Sequence, residues 1–168
     1  MTHVVLIGMM GSGKSTVGEV VASRLGAAFI DSDDQVERAT GRTVREIFES
    51  DGEAAFRRLE TEALAAALAT PERAVIAAAG GVVLDRANRE LLRSADTVVW
   101  LRARPDELVG RVGASDHRPL LGDDALGVLR QLDTDRAPLY GEVADAVVDV
   151  DGLDLLDVVE RVLAAVSP

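Results

Sequence analysis

The chain has no cysteine among its 168 residues. Disulfides, cysteine-ligated metal and thiol catalysis are thereby excluded, which suits a reducing compartment. No stretch approaches the ~20 apolar residues that a membrane helix needs. The opening Met1-Thr2-His3 leads straight into an apolar run, without the charged start and small-residue cleavage site of a secretory signal. The expectation is a cytoplasmic protein with no membrane partner. Repeats, low-complexity tracts and a domain linker are also missing. A chain of this length is expected to form one domain with a core that needs no staples.

Positive charge is scarce. Lys and Arg number 18 against 29 Asp and Glu, for a formal net charge of −11. An acidic surface repels phosphate backbones, which argues against a nucleic-acid partner. A negatively charged ligand must then be captured by a local cationic site against the overall field. Lysine is the scarcest cation of all, because Lys14 is the only one.

What is present is a regular alternation of strand and helix signals. Val4-Val5-Leu6-Ile7 is wholly apolar and mostly β-branched, as a strand buried on both faces of a parallel sheet should be. Further strands are expected at Ala28-Phe29-Ile30, Val75-Ile76-Ala77, Thr97 to Leu101 and Ala146 to Val150. Helical patterns cover the end of the first glycine-rich loop up to Leu25, then roughly 33–40, 44–50, 53–69, 86–93, 105–112, 124–143 and 153–166. Gly26 suits a helix C-cap. Ser32, with Gln35 three residues on, suits an N-cap with a capping box. Pro138 predicts a kink or break in the long helix. Residues 113–123 read as an irregular polar loop. The fold class is α/β: a three-layer α/β/α sandwich around a five-stranded parallel sheet.

The sole lysine stands in Gly8-Met9-Met10-Gly11-Ser12-Gly13-Lys14-Ser15, a full match to G-x-x-x-x-G-K-[ST]. Glycines allow backbone N–H groups to converge on phosphate oxygens, and the following helix N-terminus adds partial positive charge. In this pattern Lys14 reaches the β- and γ-phosphates and the Ser15 hydroxyl ligates Mg²⁺. Gly11, Ser12, Gly13 and Thr16 complete the phosphate-binding set. A strand before and an amphipathic helix after supply the required context.

Five more short motifs follow in order: Asp31-Ser32-Asp33, Phe56-Arg57-Arg58-Leu59-Glu60, Ala79-Gly80-Gly81, His117-Arg118-Pro119-Leu120-Leu121 and Arg136-Ala137-Pro138-Leu139-Tyr140. Over nearly the whole chain, this set resembles the shikimate kinase family of small P-loop kinases. The resemblance implies transfer of the γ-phosphate of ATP to a hydroxyl of shikimate, with Mg²⁺ as cofactor, by a monomer. It implies that Asp31 holds Mg²⁺ through water. Asp33 would bind the substrate hydroxyls and orient or deprotonate the attacking one. Arg57 and Arg136 would grip the substrate carboxylate, with Gly80 and Gly81 approaching the substrate through their backbone. Arg118 would close over the phosphates from a lid at about 112–123, and Arg111 would lie against adenine. The substrate-binding segment would span about 31–60.

Each site residue also has a plainer reading. Ser32 and Asp33 could merely cap a helix. Adjacent residues on a helix point about 100° apart, so only one of Arg57 and Arg58 can face the site. Arg57 is chosen from the resemblance, leaving Arg58 to pair with Glu53, Glu60 or Glu62 on the surface. Trp100 and Phe56 are expected in the core. His3 and His117 receive no role.

The sequence departs from the family at two places. Ala79 stands where three glycines are usual, which is tolerable only at negative φ. No proline follows the last strand, so Leu155 is expected to supply the apolar contact to adenine. A Walker B pattern is also lacking, which leaves the metal to Asp31. Two alternatives stay open on the residues alone. One is another small kinase such as a gluconate or nucleoside-monophosphate kinase. The other is a non-catalytic nucleotide-binding module, disfavoured by intact Lys14, Ser15, Asp31, Asp33 and Arg118.

Overall fold

The computed structural model describes residues 2–112 and 123–167. Arg118, the His117–Leu121 motif and most of the segment expected as a lid lie outside the described residues. Five parallel strands form one sheet: β1 (His3–Ile7), β2 (Ala28–Asp31), β3 (Ala74–Ala77), β4 (Thr97–Arg102) and β5 (Ala146–Asp149). Their order is β2-β3-β1-β4-β5. The inner strands β3 and β1 are buried along their whole length and β4 along most of its own. The edge strands β2 and β5 are half-exposed. Apolar, β-branched runs thus lie where helices cover both faces. Among the described residues, no helix is long and apolar enough to cross a membrane.

The helices are α1 (Lys14–Leu25), α2 (Ser32–Thr40), α3 (Val44–Asp51), α4 (Glu53–Leu68), α5 (Arg86–Leu92), α6 (Pro105–Val112), α7 (Ala125–Val143) and α8 (Leu155–Val166). Gly26 ends α1 in the left-handed region, its N–H bonded to the carbonyls of Ala22 and Ser23, as expected. A short 3₁₀ turn at Val82–Leu84, unmarked in the sequence pattern, follows the Ala79–Gly81 turn.

Two expectations fail. The cap of α2 is Asp31 rather than Ser32: its carboxylate accepts from the N–H of Asp33 and Asp34. A charged acceptor makes the stronger cap, and Ser32 has other work. The capping box lies one helix later, where Thr43 and Glu46 each accept from the other's backbone N–H. The long helix α7 also runs unbroken through Pro138. Proline removes the hydrogen bond that Thr134 C=O would accept, but Thr134 and Pro138 are both exposed, so water can satisfy that carbonyl. Buried Leu129, Arg136, Tyr140 and Val143 hold the helix on either side.

The main core lies on the two faces of the sheet. A second, smaller cluster joins α2, α3 and α4: Val36, Ile47, Phe56 and Ala63, with the Phe48 ring tilted against Phe56 at 4.7 Å between centroids. It positions the segment that carries Asp33 and Arg57. Trp100 and Phe56 are both core residues, as expected. Ile47 is fully buried. Ile47→Ala should therefore destabilise the chain by about 2–5 kcal/mol. A urea titration would register this as a lower midpoint at unchanged slope, and an unshifted midpoint would mean that the cluster is dispensable.

Candidate active site

The C-terminal ends of β1, β3 and β2 lie side by side. Leu6 pairs with Ala77, and Ala77 with Asp31. Three connections therefore open on one crevice, at the point where chain connectivity runs to opposite sides of the sheet. That is where open α/β sheets bind ligands. The first connection is the phosphate loop, in which Gly8, Gly11 and Gly13 all have positive φ. A Cβ on Gly8 would stand 2.5 Å from Leu101 O, so the loop folds this tightly only with glycine. The loop delivers the start of α1 to a cleft of about 160 Å³ lined by Lys14, Ser15, Thr16, Asp31, Asp33 and Gly80, among others.

Lys14 Nζ donates to Gly8 O at 2.8 Å and Met9 O at 2.9 Å, which folds the side chain back over the loop. Ser15 Oγ donates to Asp31 Oδ2. The other oxygen, Oδ1, accepts from Asp33 N at 2.9 Å and Asp34 N at 3.3 Å. One carboxylate thus caps α2 and meets the phosphate-loop serine. Ser15 and Asp31 together form an all-oxygen donor pair that fits Mg²⁺, which takes only one or two protein ligands when nucleotide phosphates and water fill the rest.

The Ala79–Gly81 turn is unstrained at its alanine, because no described non-glycine residue has positive φ. Gly80 and Gly81 also lie outside the left-handed region, and Gly81 has φ −87°. Space is the constraint here: a Cβ on Gly81 would meet Arg57 Nη1 at 2.0 Å. The Arg57 guanidinium lies directly on the turn. It donates to Glu60 at 3.1 Å and to Glu53 at 3.1 Å. Those carboxylates were expected to pair with Arg58, which is instead simply exposed. Arg136 comes from α7. It is 3% exposed, and its Nη1 lies 3.4 Å from where a Gly80 Cβ would be. No carboxylate among the described residues forms an ion pair with it.

Arg111 lies across the phosphate loop, 3.4 Å from Gly11 O. It borders a groove of about 200 Å³ with Thr16, Val150, Leu153 and Leu155. Leu155 is exposed there, in the region where a proline was missed.

Three residues at the site stand in the quoted motifs without a binding or catalytic role expected for them. Ser32, buried at 2% exposure, accepts from Ala79 N at 2.9 Å. Tyr140, fully buried, donates to Gly80 O at 2.5 Å. Glu60 is 2% exposed beneath Arg57. Beyond those motifs, the i,i+3 spacing from Arg57 to Glu60 and the i,i+4 spacing from Arg136 to Tyr140 are the local hints.

Burial raises the Glu60 carboxyl from an ordinary 4.5 to about 7. Arg57 and Arg136 pull it down and Asp33 pushes it up. The folded chain thus binds the Glu60 proton more tightly than the unfolded chain. Its stability contribution is full below about pH 4.5 and lost as pH rises through about 7, for a total of roughly 3 kcal/mol. In Glu60→Gln that loss should vanish. Urea midpoints across this range should show wild type losing ground to the variant as pH rises; parallel curves would contradict the buried-acid assignment.

Comparison with known proteins agrees with this geometry. The shikimate kinase family pattern matches residues 10–167. A shikimate kinase of Symbiobacterium thermophilum is 46% identical over 164 residues, covering 96% of this chain and 94% of that protein. The structure of a shikimate kinase from Acinetobacter baumannii in complex with shikimate superposes with TM-score 0.93 at 36% identity, covering 97% of this chain and 91% of that one. A gluconokinase from Sinorhizobium meliloti is more distant, with TM-score 0.67 at 25% identity over 98% of this chain and 90% of that one. The gluconate alternative is therefore not favoured. Phosphate loop, crevice and relatives agree that the chain belongs to the shikimate kinase family and is an ATP-dependent kinase.

Proposed function

We propose that shikimate lies between Asp33, the Gly80–Gly81 turn and the two guanidiniums of Arg57 and Arg136, with its carboxylate on the arginines. The observation that carries this reading is Arg136. A guanidinium buried to 3% exposure with no carboxylate ion pair among the described residues is an expensive arrangement. An acidic substrate relieves it. Arg57 faces the same turn, and planar forks suit bidentate carboxylate recognition. Gly80 and Gly81 allow the substrate to approach the backbone closely.

ATP would place its phosphates in the loop of Gly11, Ser12, Gly13, Lys14, Ser15 and Thr16, and its adenine in the groove between Arg111 and Leu155. Lys14 would exchange its carbonyl partners for β- and γ-phosphate oxygens. Ser15 would hold Mg²⁺ directly and Asp31 through water; the ion would supply charge neutralisation at the phosphates. Asp33 would orient the attacking hydroxyl and take its proton as the new oxygen–phosphorus bond forms. The bond from the γ-phosphorus to its bridging oxygen then breaks, and ADP leaves. Arg118 would add charge stabilisation from a lid that excludes water. The substrate segment 31–60 and the lid would belong to one kinase domain. The monomer, with no membrane or nucleic-acid partner, is carried over from the family resemblance and the acidic charge balance. We place the enzyme in the cytoplasm.

ADP release from Mg-ATP, measured with shikimate, gluconate, AMP, CMP or no acceptor, tests the substrate. Turnover should require shikimate; turnover with another acceptor would overturn the roles of Arg57 and Arg136. Lys14→Ala should abolish turnover in a folded chain, and near-wild-type rates would refute its phosphate role. Arg136→Ala should raise the shikimate KM about tenfold or more, on the scale of ~1.4 kcal/mol per decade. An unchanged KM would remove Arg136 from the carboxylate site.

A further inference from the structure

We propose that Tyr140 is a positioning residue of the acceptor site, whose single hydroxyl sets the spacing between the two arginines that receive the substrate carboxylate. The inference rests on the carboxylate reading above. Tyr140 is fully buried and borders neither the phosphate cleft nor the groove beside Arg111. It stands one helical turn after Arg136 on α7, so the two share a face.

Two contacts meet at this hydroxyl, and a third lies beside them. It donates to Gly80 O at 2.5 Å, across 60 positions of sequence. The Arg136 guanidinium lies against it, close enough to favour the phenolate. The Arg136 Nη1 also faces the Gly80 backbone. Gly81 follows Gly80 directly, and Arg57 rests on Gly81 with no room for a Cβ between them. A continuous chain of contact therefore runs from Arg136 through Tyr140 and Gly80–Gly81 to Arg57. On the opposite side, Ser32 accepts from Ala79 N at 2.9 Å. The turn is thus held at adjacent residues by two buried hydroxyls.

The ring is held independently of the hydroxyl. It packs against Trp100 with centroids 5.5 Å apart. Burial pushes the phenol up to about 12, so it stays a neutral donor throughout the working range. Bidentate grip on a carboxylate tolerates little error in the separation of the two forks, and small misplacements of positioned groups cost large factors in rate. Removing the hydroxyl frees the Gly80 carbonyl and lets the turn and α7 move apart without emptying the core.

Tyr140→Phe keeps the ring on Trp100 and tests the hydroxyl alone. Steady-state kinetics should show the shikimate KM rising about tenfold while the ATP KM stays within about twofold. The preference of wild type for shikimate over its neutral carboxamide should shrink in the variant, because the carboxylate grip is what slackens. Combined with Arg136→Ala, Tyr140→Phe should add little, since the two act as one unit. An unchanged shikimate KM, an equal rise in both KM values, or full additivity with Arg136→Ala would each overturn the proposal. Arg136→Ala separates the two levels. If it leaves the shikimate KM unchanged, the carboxylate reading itself fails; if it raises KM while Tyr140→Phe does not, only the role of Tyr140 fails.

Discussion

The site depends on the parallel register of three strands. Leu6, Ala77 and Asp31 are neighbours across β1, β3 and β2. Because β3 lies between the other two, the phosphate loop after β1 and the aspartates after β2 flank the turn after β3. A slip of one residue would move a strand by about 3.3 Å and turn its side chains to the opposite face. Asp31 would then lose Ser15, and Ser32 would lose Ala79. The register is secured by burial: β1 and β3 are buried along their whole length and are mainly β-branched and small apolar residues.

Within that frame, the distribution of charge decides what can bind. The chain is acidic overall, and many arginines are spent on exposed pairs such as Arg42–Asp51, Arg93–Glu142 and Arg102–Asp149. Pairs this exposed contribute little to stability. The crevice differs in kind. Lys14 rests on backbone carbonyls that phosphate oxygens can replace. Arg136 is buried without a carboxylate partner among the described residues. Arg57 is paired, but with Glu60, a carboxylate that burial holds near neutrality. The crevice thus gathers three cations where a phosphate donor and an acidic acceptor would meet.

Local chemistry was legible in the sequence, and long-range chemistry was not. The phosphate loop, the buried strands and the helix-ending glycine at Gly26 each act over a few residues, and each stands where the pattern puts it. The cap of α2 lies one residue before the one the pattern predicts, because the Ser32 hydroxyl is bonded to Ala79, 47 positions away. Tyr140 is similar: its partner Gly80 is 60 positions distant, and no local spacing relates the two. Pro138 predicted a break because proline costs a helix one hydrogen bond. The exposure of Thr134 removes most of that cost, and packing on both sides supplies the rest. Gly81 reads as a turn glycine, yet its φ suits any residue; the need for glycine comes from Arg57 lying on it. That contact joins two elements that sequence spacing cannot relate.

The most direct test of this account is a crystal structure of the chain with shikimate and ADP bound. The account predicts one carboxylate shared by Arg57 and Arg136, a ring hydroxyl on Asp33, and the Gly80–Gly81 backbone alongside. A carboxylate held elsewhere, with Arg136 still facing only Tyr140 and the turn, would contradict it.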